Sequence, residues 1–305
     1  MPRPFRFGVN TTSIESRASW QERARRLEAE GWSTLLVPDH LGGVSTFAPL
    51  VSAADVTTEL RVGSLVINNE LFHPLRLAQE AATVDLLTDG RLELGLGSGW
   101  NQSEYQLLDV AYDRPAQRAA RLVQAVATMK SAWSGESRLP GVEGADGGRA
   151  VLEAAQRPHI PLLIGGHGDQ VLTLAATEAD IVGLTGLTWT GSSLAPTGAS
   201  VDNLAERVRF VRDRAGNRFE DLELNILTQV TSIGGDTQTT VMELASRLGT
   251  RPDLVRTTPL TLIGSVPEIV DKLVANREQL GISYVVIFDT AIDDMAPVVA
   301  QLAGT

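Results

Sequence analysis

The sequence predicts an α/β protein in which strands and helices alternate from end to end, either closed as a (β/α)8 TIM barrel or laid out as an open doubly wound sheet. Three observations carry this. Short apolar runs that stop at Gly, Pro, Asn or Asp recur along the chain. Between them lie segments whose apolar residues repeat at helical spacing. The chain has 305 residues, enough for one barrel of about 250 residues plus insertions. No internal repeat or linker-like stretch divides it, so one domain over 1–305 is expected.

The elements follow in order. Residues 5–9 read as the first strand, and 19–30 as a helix with Trp20, Ala24 and Leu27 on one face and Gly31 as its stop. Residues 35–37 are continuously apolar, as a strand buried on both faces should be. A short helix over 50–58, a strand over 61–67, a helix over 75–87 and a strand over 91–97 come next. The clearest helix is 115–133, where Ala119, Leu122, Val126, Met129 and Trp133 repeat at helical spacing. Further strands are expected at 161–165, 180–184, 222–230 and 284–288, with helices over 170–179, 204–215 and 239–248. Ser265 and Glu268 form a capping box that starts a helix running to Leu280, with Gly281 as its stop. Insertions are expected at about 134–157, 186–203 and 232–262, and the irregular stretch 186–200 with Trp189 is a candidate lid.

Composition narrows the function. A chain 43% hydrophobic and 21% charged is that of an ordinary globular protein. A net charge of −11 argues against nucleic-acid binding. No apolar run is long enough to span a membrane, and residues 1–7 lack the apolar core of a signal peptide. Cysteine is absent, which removes disulfides and thiol catalysis and suits a cytoplasmic protein.

In a barrel, chemistry sits where strands end. The run RLELGLGSGW (91–100) ends its strand in Gly95, Gly97 and Gly99. Missing side chains there let a flat ligand or another backbone come close. PDH (38–40) follows the second strand. His40 can donate, accept or transfer a proton, and Asp39 could orient it or cap the loop. Asn68 and Asn69 follow the third strand. GGHG (165–168) follows the fifth and leads into a helix, where exposed backbone N–H groups suit a phosphate, and Gln170 could add a donor. Asp169 opposes that reading unless it points away. Glu104, Asp85, Arg91 and Arg118 are further charged candidates; an ion pair suits Glu104 better than acid–base work. No His, Cys or acidic cluster has metal spacing, and no Gly-x-Ser-x-Gly elbow supports a hydrolase.

Taken in order, LLVPDH (35–40), RVGSLVIN (61–68), HPLRLAQEAATVDLLTDG (73–90), RLELGLGSGW (91–100), PLLIGGHG (161–168), ADIVG (179–183) and GSVPE (264–268) resemble the luciferase-like monooxygenase superfamily over nearly the whole chain. Within it the sequence is most similar to the deazaflavin (coenzyme F420)-dependent oxidoreductases. The resemblance implies a bacterial-luciferase-like barrel and a small-molecule redox enzyme, with a homodimer as the family's frequent state. It implies that His40 lies beside the deazaflavin ring. It also implies a non-prolyl cis peptide at Leu65–Val66 forming a bulge behind that ring. Asp39, Asn68, Gly97, Gly99 and Trp100 would complete the ring site, and Gly165, Gly166, His167, Gly168 and Gln170 would hold the phosphate. The sugar-phosphate dehydrogenases of the family carry Trp four residues after the histidine and an acid after Gly-x-Gly. Val44 and Trp100 stand there instead, so glucose 6-phosphate is not the expected substrate and a larger, less charged one is. Two other readings remain: an FMNH2-dependent monooxygenase, and a catalytically silent barrel acting as a binding subunit.

Overall fold

Buried parallel strands must bury both faces, and here they do so by closing on themselves. The computed structural model describes residues 2–134, 153–189, 194–196 and 198–305. Its first half runs β1 (Arg6–Asn10), α1 (Arg17–Ala29), β2 (Thr34–Val37), α2 (Phe47–Ala54), β3 (Arg61–Ser64, resuming at Ile67–Asn68), α3 (Pro74–Leu87), β4 (Leu92–Gly97), α4 (Gln102–Leu107) and α5 (Pro115–Trp133). The second runs β5 (Leu162–Gly166), α6 (Asp169–Glu178), β6 (Ile181–Leu184), α7 (Val201–Ala215), β7 (Glu223–Leu227), α8 (Thr237–Leu248), α9 (Pro252–Thr257), α10 (Val266–Leu280), β8 (Ile282–Phe288) and α11 (Ile292–Leu302).

The strands pair in parallel in the order β1 to β8, β8 returns to β1, and the β3–β4 pairing of Val62 with Leu92 and Ile67 with Leu96 leaves no open edge. That closure excludes the open doubly wound sheet. The helix faces read from spacing hold: Trp20, Ala24 and Leu27 are buried on α1, and Ala119, Leu122, Val126, Met129 and Trp133 on α5. The capping box at Ser265 and Glu268 forms, and Gly281 takes positive φ at the end of α10.

Two expected strands needed correction. The strand expected at 61–67 is broken, because the chain bulges at Leu65 and Val66. The one expected at 222–230 ends at Leu227, and Val230–Ile233 pairs instead with Thr261–Gly264 in a separate small sheet. α9 and α11 were not foreseen, although Ile292, Met295, Val299 and Leu302 are all buried on α11. The insertion expected at 134–157 lies mostly outside the described residues, as does part of the candidate lid at 186–200.

The barrel interior is layered. At the N-terminal end a polar plug seals it. Arg6 Nη1 meets Glu223 Oε2 at 2.6 Å, Arg61 Nε meets Glu93 Oε1 at 2.6 Å, and Arg6 also pairs with Glu93. The Tyr284 hydroxyl donates to Glu93 at 3.3 Å. Burial alone would raise the Glu93 carboxyl, but Arg6 and Arg61 outweigh it and hold it below the usual carboxylate range. Above the plug, Leu36, Leu163 and Val286 pack with Leu65, Val66 and Leu227 as an apolar layer. The strand tips above that layer open into a cavity.

Candidate active site

That cavity, about 400 Å3, is bounded by the last residues of seven strands: Asn10, Asn68, Gly97, Gly166, Leu184, Leu227 and Phe288. His40 stands on its rim after β2. The His40 side chain is 43% exposed, and its Nδ1 lies 2.7 Å from Oε1 of Glu104, whose side chain is 5% exposed. A carboxylate can only accept, so Nδ1 carries the proton and Nε2 is left to act on a ligand. The Trp100 ring meets the His40 ring edge-on, with centroids 5.7 Å apart and planes at 75°. Glu104 therefore does pair, as its helical setting on α4 suggested, but its partner is the site histidine.

Asp39 does not orient His40. Its Oδ2 accepts the backbone N–H of Asn68 at 3.0 Å, tying the tip of β2 to the tip of β3. Burial pushes the Asp39 carboxyl up, and the Asn68 N–H opposes that. The Asn68 side-chain oxygen accepts from the Tyr105 hydroxyl at 3.1 Å and from the Glu70 N–H at 3.2 Å, so the side chain is fixed at the cavity wall. Burial raises the Tyr105 phenol to about 12, so it stays protonated and donates.

The glycines of β4 turn out to serve the bulge. The Leu65–Val66 peptide is cis. A Cβ on Gly95 would collide with the Ser64 carbonyl, and one on Gly97 would sit 2.9 Å from Val66 Cγ2. Gly99 has φ +73°, and a Cβ there would overlap the Tyr105 hydroxyl and the Asn68 side chain. Arg118, buried on α5, grips the loop that follows by donating to the carbonyls of Ser98 at 3.1 Å and Gly99 at 3.2 Å and to that of Asp113. Arg91 and Asp85 stand apart from the site. Arg91 donates to the carbonyls of Ala54, Leu60 and Thr88, and Asp85 accepts from Gln156.

The turn after β5 is only partly as expected. Gly165, Gly166 and His167 line the cavity. His167 Nδ1 donates to the Thr185 carbonyl at 2.7 Å. Gly168 is exposed and caps α6 without a side-chain bond, and a Cβ on it would meet nothing within 4 Å. Asp169 points away, paired with Arg207 at 2.7 Å, which removes its objection to an anion. Gln170 must be corrected: it is exposed and lines an outer depression with Thr173 and Arg214, because it falls on the outer face of α6. Sequence reasoning passed over Asn10, Asn225, Gln229 and Phe288. The strand-tip rule, applied to β1, β7 and β8, would have found most of them.

Among the described residues no group of three His, Cys, Asp or Glu side chains could hold a metal. No helix among them is long and apolar enough to cross a membrane.

The comparisons fit this geometry. A family model described as luciferase-like monooxygenase matches residues 3–258. An F420-dependent glucose-6-phosphate dehydrogenase from Nakamurella multipartita is 27% identical over 232 residues, 73% of this chain and 66% of that relative. The chain thus aligns with somewhat less than two thirds of that relative's length. Among solved structures, an F420-dependent secondary alcohol dehydrogenase in complex with an F420–acetone adduct superposes with TM-score 0.74 at 16% identity, covering 98% of this chain and 99% of the other. A riboflavin lyase with modified FMN and riboflavin gives TM-score 0.76 at 13% identity, covering 99% and 93%. At such identities the two structures speak for the fold alone. With the family model spanning most of the chain and the barrel closed as that family's is, this chain belongs to the luciferase-like monooxygenase family.

Proposed function

We propose that this protein is an oxidoreductase that binds coenzyme F420 at the barrel mouth and serves the reduction of activated C=C, C=N or C=O bonds in a small organic molecule. One observation carries the reading: the His40–Glu104 pair, the bulge at Leu65 and Val66 and the Gly165–Gly166 turn all border one cavity. Its residues fit such a group. Leu65 and Val66 at the bulge, with Gly97, Gly165 and Gly166 beside them, line one wall against which a flat ring can lie. Gly168, open on its outer side and leading into α6, leaves N–H groups for a phosphate. F420, when bound, supplies the hydride. The chain's own part is to bind, orient and manage a proton. Glu104 fixes the tautomer of His40, and His40 Nε2 gives or takes the proton that balances hydride transfer. Trp100 shields one side of that histidine.

The same geometry suits a second ring. The FMN-bearing riboflavin lyase shares the fold, and FMN has comparable ring and phosphate demands. Titration of the purified protein with F420 and with FMN separates the two readings: F420 should bind, and FMN should bind at least tenfold more weakly, about 1.4 kcal/mol. Tight FMN binding with no F420 binding would reverse the assignment.

A further inference from the structure

The cavity has two sides of different chemistry. Sheet order sets β7, β8 and β1 across the barrel from β3, β4 and β5. If the coenzyme takes the β3–β5 side, as proposed above, its substrate meets the opposite wall. That wall carries Asn10, Asn225, Gln229 and Phe288. Asn225 donates one amide N–H to the Tyr284 carbonyl at 3.2 Å and Gln229 donates one to the Leu227 carbonyl at 3.2 Å, which leaves each side chain an acceptor oxygen and a second N–H. Asn10 Oδ1 is buried and has no partner. A wall of side-chain amides, which both accept and donate, suits a neutral polar ligand.

The charges point the same way. Among the described residues, the charged or titratable side chains lining the cavity are Asp39, Glu104, His40 and His167, with no Lys or Arg. Three arginines on α5 and α7 are engaged elsewhere. Arg118 holds the carbonyls of Ser98, Gly99 and Asp113, Arg121 pairs with Glu70 and Asp113, and Arg207 pairs with Asp169. A phosphate ester carries negative charge, and it would meet two carboxylates with no cation among the described lining residues to offset them.

We propose that the substrate of this site is an uncharged polar molecule that hydrogen-bonds the amide wall of β1, β7 and β8, and that phosphorylated compounds are disfavoured because the described lining sets no cation beside Asp39 and Glu104. This rests on the deazaflavin reading, so the test has two stages. F420 binding is measured first, by fluorescence, without any substrate. A failure there removes the coenzyme assignment, and the second stage is then run with whichever coenzyme binds. In that stage 4-(hydroxymethyl)benzaldehyde and its phosphate monoester are compared for binding to the loaded enzyme and for reduction. The neutral alcohol should outperform the ester by about 100-fold or more in kcat/KM, the discrimination expected where like charges are juxtaposed. Gln229→Lys, which supplies the missing cation, should raise the ester's kcat/KM by about tenfold. An ester that binds and reacts as well as the alcohol overturns the proposal. So does a loaded enzyme that responds to neither probe. The wild-type comparison decides the matter even if the variant fails to fold.

Discussion

Glu104→Gln is the substitution that isolates how His40 is held. The wild-type contact is 2.7 Å long and its carboxylate is 5% exposed, so water competes little for it. A hydrogen bond to a buried charged group of this kind contributes about 1.5–3 kcal/mol. If that energy serves to hold His40 in its reactive tautomer, its loss lowers kcat by about 10–100-fold, at about 1.4 kcal/mol per decade. His40→Ala removes the proton-handling group outright and should cost about 10²–10⁴ in kcat. Glu104 acts through His40, so the double variant should be no slower than His40→Ala alone. Steady-state oxidation of reduced F420, with coenzyme affinity followed by fluorescence, reads all three variants. The coenzyme Kd should move little in Glu104→Gln while kcat falls. A double variant slowed by the product of the two single effects would show independent action and refute the coupling, as would a Glu104→Gln enzyme of wild-type rate.

Other outcomes follow from the same contacts. Gly99→Ala should destabilise the protein by about 1–3 kcal/mol and weaken coenzyme binding, because φ +73° suits glycine and the added Cβ would overlap Tyr105 and Asn68; urea unfolding and a coenzyme titration read the two effects. Glu93→Gln should cost about 3–5 kcal/mol, since it leaves Arg6 and Arg61 short of their buried carboxylate, and a drop in Tm of less than about 5 °C would contradict that role for the plug. Glu28 tests pH dependence. Its Oε1 accepts the N–H groups of Thr58, Glu59 and Leu60 at 2.7, 2.6 and 2.9 Å. Burial alone would raise this carboxyl, but the three N–H groups outweigh it and lower it. Its folded pKa lies below its unfolded one, so its stabilisation is full above the usual carboxylate range and lost as pH falls through the depressed value. Glu28→Gln should therefore trail wild type by about 1–2 kcal/mol at neutral pH, and the gap should close as pH falls through the depressed value of this carboxyl. A gap that persists unchanged into acid would show that the carboxylate's charge does not matter.

How far the sequence could be read depended on how local each cause was. The buried face of α5 and the capping box at Ser265 are local patterns, and both appear as written. The strand tips gathered His40, Asn68, Gly97 and Gly165 because a parallel barrel puts every C-terminal strand end at one mouth. Spacing could not say what the glycines of β4 make room for. The answer lies some thirty residues earlier, in Ser64 and Val66 of the neighbouring strand. Pairing was equally out of reach: by sequence Asp39 is the candidate to orient His40 and Glu104 has an ion pair without a partner, and only the fold shows that Asp39 ties down Asn68 while Glu104 grips the ring. Gln170 failed for a simpler reason. Two residues past the cap at Gly168, the helix has already turned its side chain outward. The early end of β7 is a tertiary effect, since residues 230–233 keep the alternating, β-branched look of a strand and simply find another partner.

The central claim is that these strand tips grip a deazaflavin between the 65–66 bulge and His40. Its most direct measurement is a crystal structure of the protein soaked with F420. The account predicts the ring lying against Val66, within contact of His40, and its phosphate at the Gly165–Gly168 turn. A ring bound on another face of the molecule, or a phosphate held away from that turn, would contradict it.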